Sequence, residues 1–255
     1  MKESAAQNDP TLLTRAHALP FAVFLGMLMV LQLVAASVAW DHPDAPWWRQ
    51  DPAHWFYPLQ CLVCGGLLWK FRRCYQFNWS WKWSMIGAVA GFIGIGFWLL
   101  PTITYDLLGL KEDPGGWLKR LGVAERRDGF DPGIFEHPLA WWSTVILRFF
   151  RAVVIVSLVE EIFWRGFMMR FVLDWEGDYW KQPFGKASWL SWAVVTGAFV
   201  LAHNPIDYAG AFVYGSLTYA FCVWSKNLGG CVVMHAVANL TMGSFALISG
   251  KSGLW

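Results

Sequence analysis

Long apolar runs constrain this chain more than any other feature, because several of them reach the length of a membrane crossing. A spanning helix needs about 20 mainly apolar residues. Residues 18–40 provide one such run, with Gln32 as its only strongly polar member. A shorter run covers 55–69 and is capped by Lys70, Arg72 and Arg73. The run at 83–105 carries Gly87, Gly91, Gly94 and Gly96, small residues that allow close helix contact in membranes. Residues 139–173, 187–202, 208–225 and 227–250 complete the series. The pattern predicts an all-α fold, a polytopic transmembrane helical bundle of about seven to eight spans.

Composition agrees. Only 15% of the 255 residues are charged, against about 25% in soluble domains. Mean hydropathy is +0.36. The 19 Trp residues suit rings that meet hydrocarbon on one edge and water on the other. These values exclude a disordered chain, a collagen, a disulfide scaffold and a nucleic-acid module. A net charge of +2 calls for no polyanionic partner, so the expected surroundings are a lipid bilayer and no nucleic acid. The five cysteines, Cys61, Cys64, Cys74, Cys222 and Cys231, are odd in number and mostly in apolar surroundings, which reads as core packing. Residues 36–39 (Ala-Ser-Val-Ala) resemble a signal-peptide cleavage site, but the preceding polar stretch and the long apolar run favour a retained anchor. The distribution of Lys and Arg, from Lys2 and Arg15 onward, favours an N terminus on the inside.

The polar stretch 106–137 reads as a surface loop with one short helix. It divides the chain into residues 1–138, N-terminal spans with the polar loop, and residues 139–255, a helical core. That core carries ionisable and amide groups in apolar helices, where each costs several kcal/mol unless paired or hydrated. They are Glu160 with Glu161, Arg165, His203, and His235 with Asn239. Glu160 and Glu161 are sequential, so on a helix they point about 100° apart. Glu161 and Arg165 stand at i and i+4 in the favoured ion-pair order, which reads as a brace within one helix. Glu160 then lacks a local partner. His235 and Asn239, also four apart, share a helix face. A carboxylate, two imidazoles and an amide on three apolar helices make up the set needed to activate water and stabilise an oxyanion.

In order, these residues form E-E-x-x-x-R at 160–165, F-x-x-x-H at 199–203 and H-x-x-x-N at 235–239. The three motifs resemble the CPBP family, named for CAAX prenyl proteases and bacteriocin-processing enzymes. The resemblance covers roughly residues 139–250. It implies a multi-pass intramembrane endopeptidase, a glutamic protease of the bacterial inner membrane, without a cofactor. It further implies Glu160 as general base, His203 as the group that holds and polarises the water, and His235 with Asn239 as oxyanion donors. Glu161 and Arg165 would brace the helix. The implied substrate is a membrane-anchored protein, cleaved at a C-terminal sorting tail or a prenylated tail.

Three alternatives stand beside this reading. Glu160, His203 and His235 form a His₂Glu set, so zinc hydrolysis is the second enzymatic reading. A transporter would also keep buried charges, although no duplicated half is visible. A non-proteolytic immunity protein could share the fold. One point of geometry is open: His203 lies at the end of its apolar run, beside Pro205. Either that helix continues past Pro205, or the site lies near one membrane face.

Overall fold

The computed structural model describes residues 9–39, 42, 44–112 and 114–254. Lys2 and Trp40 lie outside the described residues. All seven apolar runs are helices, and the described residues contain no strand. We label the principal helices α1 (Pro10–Val38), α2 (Ala53–Lys70), α3 (Trp81–Leu107), α4 (Pro138–Leu173), α5 (Trp189–Leu201), α6 (Tyr208–Ser225) and α7 (Leu228–Ser249). By length and composition, α1, α3, α4 and α7 are able to cross a membrane. Helix α5, with 13 residues, is about 20 Å long, short of the ~30 Å hydrocarbon core. Large apolar side chains point outward along these helices. Leu33, Leu62, Phe92, Trp189 and Ile248 each expose more than half their surface. Water would penalise such a surface; lipid does not. The chain is therefore an all-α integral membrane protein.

Two compact units are present. The first comprises residues 1–75 and 130–159, the second 76–129 and 160–255, so α4 contributes to both. In the first, α1 starts at Asp9, whose carboxylate accepts the Thr11 N–H at 2.9 Å, with Pro10 fitting the first turn. Its inner face packs on α2. There the buried Gln60 donates to the Phe24 carbonyl at 3.0 Å and accepts from Arg151 Nε at 2.6 Å. Leu31, Ala53, Phe56 and Phe130 form the apolar cluster.

The second unit is organised by α3 against α7. A Cβ at Gly87 would stand 2.5 Å from the Gly230 carbonyl oxygen, and one at Gly91 would collide with the Met234 backbone. Two glycines one turn apart thus let the backbones touch, as the sequence pattern suggested. Gly94 meets the Tyr214 ring, whereas Gly96 faces open space and serves no contact. Asn227 caps α7 by accepting the Gly230 N–H at 2.7 Å, and Gly250 ends it at φ +67°. The 106–137 segment does hold a short helix, Gly116–Arg120. It is more than a free surface loop: Arg126 pairs with Asp207 at 2.8 Å, and Lys251 reaches Asp106 at 2.8 Å.

Helix α4 is not regular. It passes through a π-helical stretch at Arg151–Val156, one α-helical turn at Ser157–Glu161, and a second π-helical stretch at Ile162–Met168. Each widened turn shifts the direction of the side chains that follow, and such irregularities concentrate at functional sites. The two glutamates sit on the narrow turn between them.

Candidate active site

The network starts from charge burial. Glu161 and Arg165 are wholly inaccessible, and an ionised group there must be compensated. Arg165 Nε lies 3.2 Å from Glu161 Oε2, the i to i+4 spacing read from the sequence. Glu161 Oε1 also accepts from His235 Nδ1 on α7 at 2.8 Å. Arg165 further donates to Thr218 Oγ1 on α6. The Thr218 hydroxyl in turn reaches the Tyr214 and Gly215 carbonyls, each at 3.1 Å. One carboxylate thereby joins α4 to α7, and its arginine joins α4 to α6.

The bond to Glu161 constrains the imidazole. A carboxylate paired with arginine is an acceptor, so His235 Nδ1 carries the proton. His235 Nε2 is then free to meet a ligand, and it donates only when the ring holds both protons. Asn239 follows one turn along the same face and is half-buried.

Glu160 takes a different direction. It is 9% exposed, and its Oε2 is buried with no hydrogen-bond partner among the described residues. It lies within Coulombic range of His235 and Tyr214. A buried carboxylate oxygen with nothing bound calls for a water, a proton or a substrate group.

His203 stands beyond the end of α5, which closes at Leu201, so the helix does not continue through Pro205. The 3₁₀ turn Pro205–Asp207 follows directly. His203 Nδ1 donates to the Phe199 carbonyl at 2.7 Å. In the neutral ring this leaves Nε2 as an acceptor. The imidazole is held between the rings of Phe199, at 4.5 Å, and Trp98, at 5.2 Å. Trp98 also contacts Tyr214 at 6.1 Å, and Tyr214 contacts His235 at 6.0 Å. An aromatic bridge thus links the two histidines. Trp98 is anchored in turn by donating to Asp207 Oδ1 at 3.2 Å.

Sequence reading had not singled out Trp98, Asp207, Tyr214 or Thr218. Tyr214 and Thr218 are four apart on an apolar helix, a spacing that could have drawn attention. Trp98, one of 19 tryptophans, gave no signal. Among the described residues, no group of three or more His, Cys, Asp or Glu is placed to hold a metal ion.

The fold and the buried polar network define a class, an all-α membrane protein with an ionic network inside its helices. Residues 141–241 match the family model of Rce1-like type II CAAX prenyl endopeptidases. That segment runs from the first turns of α4 into α7 and contains all three motifs. The match agrees with the motif resemblance, over less than half of the chain. No curated protein and no solved structure matches it.

Proposed function

We propose that the protein is a multi-pass endopeptidase of the bacterial inner membrane that cleaves the C-terminal tail of a membrane-anchored protein, with Glu160 as the base. In this reading Glu160 takes a proton from a water that His203 Nε2 holds by accepting its second hydrogen. The water oxygen bonds to the scissile carbonyl carbon, and the carbonyl oxygen becomes an oxyanion. His235 Nε2, in the doubly protonated ring, and the Asn239 amide donate to it. Collapse breaks the C–N bond, and Glu160 returns its proton to the leaving amine. Donors of this kind are worth about 3 to 4 kcal/mol each in a dry site.

Glu161 and Arg165 have a positioning role here. Besides bracing α4, Glu161 orients His235 and stabilises its imidazolium form. Charge counting favours that form: Arg165 and His235 positive, Glu160 and Glu161 negative, sum to zero in a region that tolerates little net charge. The observation that carries the reading is the buried, unsatisfied Glu160 oxygen beside the Glu161–His235 pair. The tail is one ending in an apolar helix with a sorting motif, or a prenylated one.

The test is reconstitution of the full chain in liposomes with both kinds of tail peptide, followed by mass spectrometry for a new terminus. A Glu160-dependent cut in one tail identifies the substrate class. Absence of any cut in a panel spanning both would reject the reading.

A further inference from the structure

The second unit carries a groove that the proposed protease chemistry does not use. About 740 Å³ of open space lies between the first turns of α5 and the last turns of α6, lined by Trp189, Trp192, Tyr219, Ala220, Val223 and Trp224. No residue of the candidate active site borders it. Its floor is fixed: Trp192 donates to Ser216 Oγ, and the Tyr219 hydroxyl to the Ser188 carbonyl, each at 3.3 Å. Its rim is not. Trp189 is 85% exposed and Trp224 63%, and neither indole N–H has a hydrogen-bond partner among the described residues. Trp83, at the start of α3, meets Trp224 edge to face at 5.0 Å, so three helices bring tryptophan to one end of the unit. Indoles gather in this way where hydrocarbon meets the headgroup layer.

Lysines stand at the same end. Lys226 closes α6 in the left-handed conformation, at φ 49°, and leans on Gly185, where a Cβ would lie 3.2 Å from its Cγ. Lys186 stands between Gly185 and Ala187 of the groove wall, and its ammonium donates to Gln182 Oε1 at 2.9 Å. Lys82 lies over the Trp83 ring, 4.9 Å from the centroid. None of these three ammonium groups has an ion-pair partner among the described residues. The nearby acids are Asp174, which accepts from Gln182 at 3.0 Å, Asp178, which pairs with Lys181 at 3.2 Å, and the exposed Glu176. None of them lines the groove. Free indole donors and uncompensated ammonium groups beside an apolar slot call for a molecule with an anionic, acceptor-rich head and a long apolar tail.

We propose that the groove binds an anionic glycerophospholipid, with its phosphate among Lys186, Lys226 and the two indole N–H groups, and one acyl chain along Trp192, Ala220 and Val223. A choline headgroup would bring a fixed positive charge to the same lysines, so the site discriminates against it. Peptidase activity plays no part in this binding.

The test titrates the full chain, purified free of lipid in a non-ionic detergent, with dioleoyl phosphatidylglycerol or dioleoyl phosphatidylcholine, and counts bound lipid by native mass spectrometry. The first phosphatidylglycerol should bind about 25-fold more tightly than phosphatidylcholine, since two lysines at the head contribute about fivefold each. Lys186→Gln combined with Lys226→Asn should remove that preference, asparagine being tolerant of the left-handed conformation. Ala220→Phe, at an exposed position of the wall, should fill the groove and weaken both lipids at least ~10-fold by displacing the chain. Lys111→Gln, beyond the far end of α3, should change neither. All of these are surface changes, so each variant should melt within about 2 °C of the parent. Equal affinity for the two lipids, tighter binding of phosphatidylcholine, or a preference that survives the double lysine variant would overturn the proposal. So would unchanged binding in Ala220→Phe.

Discussion

Replacing Arg165 by Met is the most informative perturbation, because Glu161 then loses one of its two partners. At 3.2 Å the Arg165–Glu161 attraction is about 5 kcal/mol for an effective dielectric near 20. Desolvation of two wholly buried ions offsets most of that, so the net worth of the pair is small. Removing one partner is different: it strands a buried charge and costs about 3–5 kcal/mol. For a chain of this size that is roughly 6–20 °C in Tm. Arg165→Met and Glu161→Leu should each melt within that range below the parent. The double variant should recover most of the loss, since neither charge remains. Its activity should not recover, because His235 Nδ1 has lost the carboxylate that orients the ring and stabilises its imidazolium form. Melts in detergent and cleavage of a tail peptide, run on all four proteins, separate the two effects. A double variant no more stable than the singles would refute the pair as a brace. A double variant that turns over normally would refute the orienting role of Glu161.

Glu160→Gln should keep the parent's Tm and lose turnover, while Asn239→Ala should retain a rate lowered about 10²- to 10³-fold; equal losses in peptide cleavage would contradict the assigned roles. Gly91→Leu should prevent accumulation of folded protein, since even a Cβ collides with the Met234 backbone, whereas Gly96→Ala should raise Tm slightly by about 1 kcal/mol of helix propensity; expression and melting check both. Prolonged chelation should leave cleavage unchanged and reveal no stoichiometric zinc by elemental analysis. Loss of activity restored by zinc alone would instead make Glu160, His203 and His235 ligands.

The sequence alone determined the elements of this protein. Bilayer thickness sets the length of a spanning helix, and of the seven to eight spans expected from the apolar runs, α1, α3, α4 and α7 are long and apolar enough to cross, while the other runs form shorter or less apolar helices. The i to i+4 rule likewise placed Glu161 beside Arg165, and the four glycines of the 83–105 run announced a close helix contact, which Gly87 and Gly91 make with α7. These are local properties, written in spacing. The tertiary structure decided what lies across from each of them. That Glu161 also holds His235, 74 residues later, follows from how α4 packs on α7, and no periodicity encodes it. The π-helical stretch Arg151–Val156 re-aims the glutamates that follow it, an irregularity that no periodicity announces. The same holds for Trp98, whose place beside His203 depends on the meeting of α3 with the turn after α5. Spacing along one helix is a sequence property, but contact between helices is a property of packing, and the candidate site is made almost wholly of such contacts.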